Sequence, residues 1–124
     1  MENINLEILF AIGRIVYAVP LLFMALGHFT GVKKLTEYAK SKKVPSPKLA
    51  VMGSGLILAL GSLSVLTNFH TNIGGILLVI FFLPISVMMH DFWNQNDPHI
   101  RNMERISFLK NMIILGAAIT FAAM

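Results

Sequence analysis

Between Lys48 and Asp91 the chain carries forty-two consecutive residues without an Asp, Glu, Lys or Arg, and most are Leu, Ile, Val, Phe, Met, Ala or Gly. As one helix at ~1.5 Å per residue the run would be about 63 Å long, roughly twice the hydrocarbon core of a bilayer. It has to fold back on itself. The polar break is Asn68-Phe69-His70-Thr71-Asn72, followed by Gly74-Gly75. The run therefore reads as two crossings joined by a tight turn, over residues 49–67 and 73–90. Two further apolar segments flank it, one over residues 6–29, interrupted by Arg14 and Pro20, and one over residues 107–123, with Lys110 near its start. The last is short and continues a helix begun in the preceding loop, where Asp97-Pro98 supplies an N-cap and first-turn pair. Each segment approaches the ~20 residues a spanning helix needs. The pattern predicts an all-α, membrane-spanning four-helix bundle, one domain over residues 1–124.

The charges lie almost entirely between the spans. The first basic loop holds Lys33, Lys34, Lys40, Lys42, Lys43 and Lys48, and the second holds Arg101 and Arg105. The N-terminus, the turn near His70 and the C-terminus hold no Lys or Arg. The positive-inside rule then places both basic loops in the cytoplasm and both termini outside, in a bacterial cytoplasmic membrane. Within the first loop Val32, Leu35, Tyr38 and Ala39 share one helical face and the lysines lie mostly elsewhere. Residues 32–42 thus predict an amphipathic helix in the headgroup region, ended by Val44-Pro45-Ser46-Pro47. Trp93 suits an interface anchor.

Composition changes the picture in three ways. Only 13% of the 124 residues are charged and 56% are hydrophobic, with a mean hydropathy of +0.72, against about 25% charged in a soluble domain. The net charge of +4 sits beside a membrane span, so it marks orientation rather than nucleic-acid binding. The absence of cysteine excludes disulfides, thiolate metal sites and Cys nucleophiles. The start, Met1-Glu2-Asn3-Ile4-Asn5-Leu6-Glu7, has no basic region ahead of the apolar run, so no removable signal peptide is expected.

In this setting polar residues need a reason. Seven residues advance a helix by ~700°, close to two turns, so Glu7, Arg14, Tyr17, Leu21 and His28 fall on one stripe of the first span. A cation at the depth of Arg14 faces protein or water rather than lipid. It serves either to satisfy carbonyls and hydroxyls or to bind a ligand. On the last helix Asp97, Arg101, Glu104, Phe108 and Asn111 form a second stripe. With the predicted topology, His28, His90, Asp91, Arg101, Glu104, Lys110 and Asn111 all lie near one membrane surface. They form the candidate site, either a helix-end hydrogen-bond network that fixes the loop or a ligand cluster. His28 and His90 sit at similar depth, but two histidines from different helices are thin grounds for haem or a metal. No Ser-His-Asp arrangement or phosphate-binding glycine loop accompanies them. Gly53-Ser54-Gly55, Ala59, Gly61 and Ser62 read as a close-packing face, and the methionines as fillers of the interior.

These features in order resemble the DoxX family of small four-helix membrane proteins. The resemblance rests on Gly27-His28 closing the first span, a basic loop with Pro45, Gly61 in the second span and His90-Asp91-Phe92-Trp93 ending the third. Asp97-Pro98, Arg101, Glu104, Phe108-Leu109-Lys110-Asn111 and Gly116 follow. The family's name comes from a small subunit of a thiosulfate:quinone oxidoreductase. Some relatives are tied to oxidative-stress complexes, and distant eukaryotic relatives act in assembly or cargo handling. The resemblance therefore implies an accessory membrane subunit of a redox system, at most part of an oxidoreductase, working with a redox protein partner or a second copy. A quinone would fit an apolar slot with a few polar groups, with His28 and His90 on its oxygens and Asp91 or Glu104 relaying protons. Two alternatives stand beside it. One is a non-catalytic assembly or anchor factor meeting anionic lipid or an acidic partner. The other is a small-molecule transporter, with helices broken at Pro20 and Pro84 and Arg14 inside.

Overall fold

Local chemistry sets where each helix starts and stops. The computed structural model describes residues 5–124; residues 1–4, on which the signal-peptide expectation partly rests, lie outside them. Helix α1 (Leu6–Thr30) is capped by the Asn5 side chain, which accepts from the Glu7 N–H at 2.9 Å. It gives way at Gly31 to α2 (Val32–Ser41). Helix α3 (Pro47–Thr67) starts on a proline, whose missing N–H costs nothing in a first turn. It ends at Asn68, a residue type that tolerates the left-handed backbone found there (φ 54). Ser64 Oγ lies 2.6 Å from the Phe69 carbonyl and 2.9 Å from that of His70, and Thr71 Oγ1 donates to Asn68 Oδ1 at 2.8 Å. These bonds close the predicted turn into α4 (Thr71–Met89). A 3-10 turn (Phe92–Asn94) leads to α5 (Pro98–Ala122), whose N-cap Asp97 accepts from the His99 N–H at 2.9 Å. The fourth span thus belongs to a 25-residue helix that begins in the basic loop.

Helices α1, α3, α4 and α5 are each long and apolar enough to cross a membrane, and the chain is an integral, multi-pass membrane protein with an all-α fold. Helix α1 packs on α3, α3 on α4, and α4 on α5. Tyr17 closes the remaining gap by donating to the Ile114 carbonyl at 2.8 Å and setting its ring 5.2 Å from that of Phe121. The shared interior is made of Ala18, Leu21, Leu58, Leu78, Phe82 and Ala118. Large apolar side chains such as Val16, Phe23, Leu56, Ile80 and Ile113 point outward. In water they would be an aggregation liability, whereas here they meet acyl chains. Both basic loops and α2 lie at one end of the bundle, called the basic end below. The prolines do not break their helices: α1 runs through Pro20 and α4 through Pro84. The broken helices that a transporter reading leaned on are therefore not found.

Arg14 lies near the opposite end. Its Nη1 donates to the Leu66 carbonyl at 2.8 Å and the Val65 carbonyl at 3.3 Å, and its guanidinium stands 5.1 Å from the Phe10 ring centroid. Those carbonyls belong to the last turn of α3: that of Val65 also accepts from the Asn68 N–H at 3.3 Å, whereas that of Leu66 has no backbone donor among the described residues. A cation there also meets the negative end of the helix dipole. The arginine is thus a C-terminal cap delivered from a neighbouring helix. Arg14→Leu is expected to cost about 2–3 kcal/mol, because charged hydrogen bonds are lost and the Leu66 carbonyl is left without a donor. Detergent-titrated unfolding followed by circular dichroism measures it; an unchanged midpoint would remove the capping role.

Candidate functional site

The basic end holds a polar cluster and, beside it, an apolar cavity. The cluster starts where α4 stops. His90 leaves the helical backbone, and Asp91 accepts from Asn94 Nδ2 and Gln95 Nε2, both at 3.2 Å. Phe92 and Trp93 pack on Phe108 of α5 with centroids 5.5 and 5.7 Å apart, which fixes the turn on that helix. Lys42, just past α2, sets its Nζ 2.7 Å from Asp91 Oδ1 and 2.8 Å from Glu104 Oε2. These three side chains are only 12–18% exposed. The Tyr38 hydroxyl lies 3.0 Å from Glu104 Oε2 and 3.1 Å from the Met89 carbonyl. His90 Nδ1 reaches Glu104 Oε1 at 3.5 Å.

Burial alone would discharge these groups, but the hydrogen bonds outweigh it. Lys42 is held above the usual lysine range because its bonds to Asp91 and Glu104 overcome desolvation. Asp91 is held below the usual carboxylate range, desolvation again losing to the Lys42 bond. The Tyr38 phenol is pushed up to about 12, first by burial and then by its bond to Glu104. It therefore stays a donor at neutral pH. The arrangement latches α2 to the α4–α5 junction.

The structure brings together three of the residues expected at one site: His90, Asp91 and Glu104. The other four lie apart. Arg101, one turn from Glu104, is exposed, and the Glu104 oxygens are already engaged by Lys42, Tyr38 and His90. Lys110 is exposed and Asn111 half-buried, two turns along α5 from Glu104. His28 packs edge-on against Phe81 at 5.6 Å. Two cluster members were not singled out from sequence, Lys42 and Tyr38. The available signal was their i, i+4 spacing, which puts them on one face near a pair of acids in need of a cation.

The cavity, of about 200 Å³, lies between the basic ends of α1, α2, α3 and α4. Leu35 and Ala39 of α2 form part of its wall, with Val51, Ile57, Ile85 and Met88. The apolar face of the amphipathic helix therefore turns partly onto protein. The polar side chains on the wall are His28 and Ser54. His28 can sit there because α1 meets α3 at Gly55, where an added Cβ would fall 2.6 Å from the His28 Cβ. His90 is not on the wall, so the paired-histidine arrangement expected for a quinone is not formed. Asp91 and Glu104 belong to the latch.

A family model described as DoxX matches residues 9–91, from α1 to just past the end of α4. No curated protein and no solved structure matches the chain.

Proposed function

The chain belongs to the DoxX family, and from that premise we propose that it is an accessory membrane subunit of a redox system that holds a quinone-class carrier in the cavity beside His28. The cavity carries this reading: it is an apolar slot with an imidazole and a hydroxyl on its wall, the balance a lipophilic ring with polar edges requires. Electron transfer to and from such a carrier is supplied by a redox protein partner. The part of this chain is to bind and orient. The clustering of Lys33, Lys34, Lys40, Lys43, Lys48, Arg101 and Arg105 at one end supports a cytoplasmic position for that end and an outside position for both termini.

An azido-quinone photoprobe on the protein in lipid nanodiscs tests the reading. The label should map to cavity-lining positions of α3 and α4 and disappear under excess unmodified quinone. Labelling that excess quinone does not compete would overturn it. Co-purification of a stoichiometric acidic partner would then favour the assembly or anchor reading. The support for that alternative is the basic surface left exposed once Lys42 is taken up internally.

A further inference from the structure

Three features of the cavity wall share one chemical consequence. His28 Nδ1 lies 3.0 Å from the Met24 carbonyl oxygen. A carbonyl only accepts, so the hydrogen is on Nδ1, and in the neutral ring Nε2 carries a lone pair. That nitrogen has no hydrogen-bond partner among the described residues. Ser54 donates its one hydroxyl hydrogen to the Val51 carbonyl at 3.1 Å, which leaves lone pairs on its oxygen. Pro84, also on the wall, has no N–H to give the carbonyl of Ile80, a wall residue four positions back. The other wall side chains are apolar. The cavity thus offers hydrogen-bond acceptors and no free side-chain donor.

We propose that this cavity selects lipophilic molecules that donate a hydroxyl, the phenol and hydroquinone class, over carbonyl-bearing molecules of the same shape. The proposal deepens the carrier reading above and, for the hydroquinone, rests on it. A quinone brings two acceptors to a wall of acceptors and leaves them unpaired. Its reduced form brings two O–H donors on the same carbon frame. With one or two such bonds at stake, the reduced form should bind roughly tenfold more tightly. For a two-electron couple that preference raises the potential of the bound carrier by about 30 mV.

The test is equilibrium binding to the full chain in nanodiscs of two matched sets. One is a short-chain benzoquinone, its hydroquinone and the hydroquinone dimethyl ether, measured anaerobically with reductant for the reduced form. The other is an alkylphenol and its methyl ether. The expected result is a roughly tenfold preference for hydroquinone over both partners and for phenol over ether. In His28→Phe that preference should shrink while the affinity of the ethers is unchanged. The wild-type comparison needs no variant to fold. Quinone or ether binding as tightly as the hydroxyl form would overturn the selection and leave the carrier reading standing. Phenol preferred over ether with no saturable binding of either redox form would sink the carrier reading and keep the selection. Saturable binding of none of the five would overturn both.

Discussion

Gly75→Ala is expected to force α4 away from α5. A Cβ at this position would fall 2.7 Å from the Ala118 carbonyl oxygen and 2.8 Å from the Ala122 Cα, and would press on the Ala122 backbone nitrogen. All three obstacles are backbone, so no rotamer change relieves them and the helices themselves must shift. Overpacking typically costs about 1–3 kcal/mol, and an unyielding neighbour places this case at the upper end or beyond. Gly75→Leu should be worse still. Gly116→Ala is the control: nothing lies within 4 Å of its added Cβ, so the change is expected to be neutral or to add up to about 1 kcal/mol of helix propensity. Unfolding midpoints in detergent, with protease cutting in α5 as a second readout, decide the matter. A Gly75→Ala protein that unfolds with the wild type would remove the close approach from the account of the fold.

That pair of glycines also shows what was legible in the sequence. Uncharged length fixed the number of spans, and Asn68 through Asn72 fixed where the chain turns, because a membrane interior admits few other solutions. Asp97-Pro98 located the start of α5, since capping is local chemistry. Gly74 and Gly75 followed the polar break and read with the turn, yet they lie inside α4, where α3 and α5 press closest. Gly74 answers to Ser64 across the turn and Gly75 to Ala118 and Ala122, more than forty residues on, and no local pattern encodes either contact. The same holds for Arg14. Its inward direction followed from its depth, but the α3 carbonyls it caps depend on the packing of α1 against α3. At the candidate site the acids Asp91 and Glu104 were legible as expensive polar groups. Which of six lysines answers them was not, because the choice rests on how α2 folds back over the bundle. The cavity was legible least, being assembled from four helices whose lining residues each look like ordinary core.

Lys42→Met should release α2. The ammonium is the counter-charge for two carboxylates that are mostly buried, and its loss leaves Asp91 and Glu104 facing one another. Removing one partner of a fully buried pair costs about 3–5 kcal/mol. Partial solvent access screens this site, so about 2–3 kcal/mol is expected. Neutralising the acids as well, in Lys42→Met with Asp91→Asn and Glu104→Gln, should recover much of it, because the uncompensated charge rather than the lost bridge carries most of the penalty. The pH dependence follows from the two shifts. Asp91 is depressed, so its contribution is complete above the usual carboxylate pKa, near 3.8, and is lost as pH falls through its lower folded value. Lys42 is raised, so its contribution is complete below the usual lysine pKa of 10.5 and is lost as pH rises through its higher folded value. The latch should hold from about pH 5 to 10 and loosen at both extremes. Because α2 walls the cavity, opening can be read from inside it. The chain has no cysteine of its own, so Val51→Cys gives a single reporter on the wall. Its maleimide labelling rate, normalised to free cysteine, should be low and flat across that window in the otherwise wild-type chain. With Lys42→Met added it should be severalfold higher throughout, and back near the low rate once both acids are neutralised. Equal rates in all three proteins would separate the polar cluster from access to the cavity.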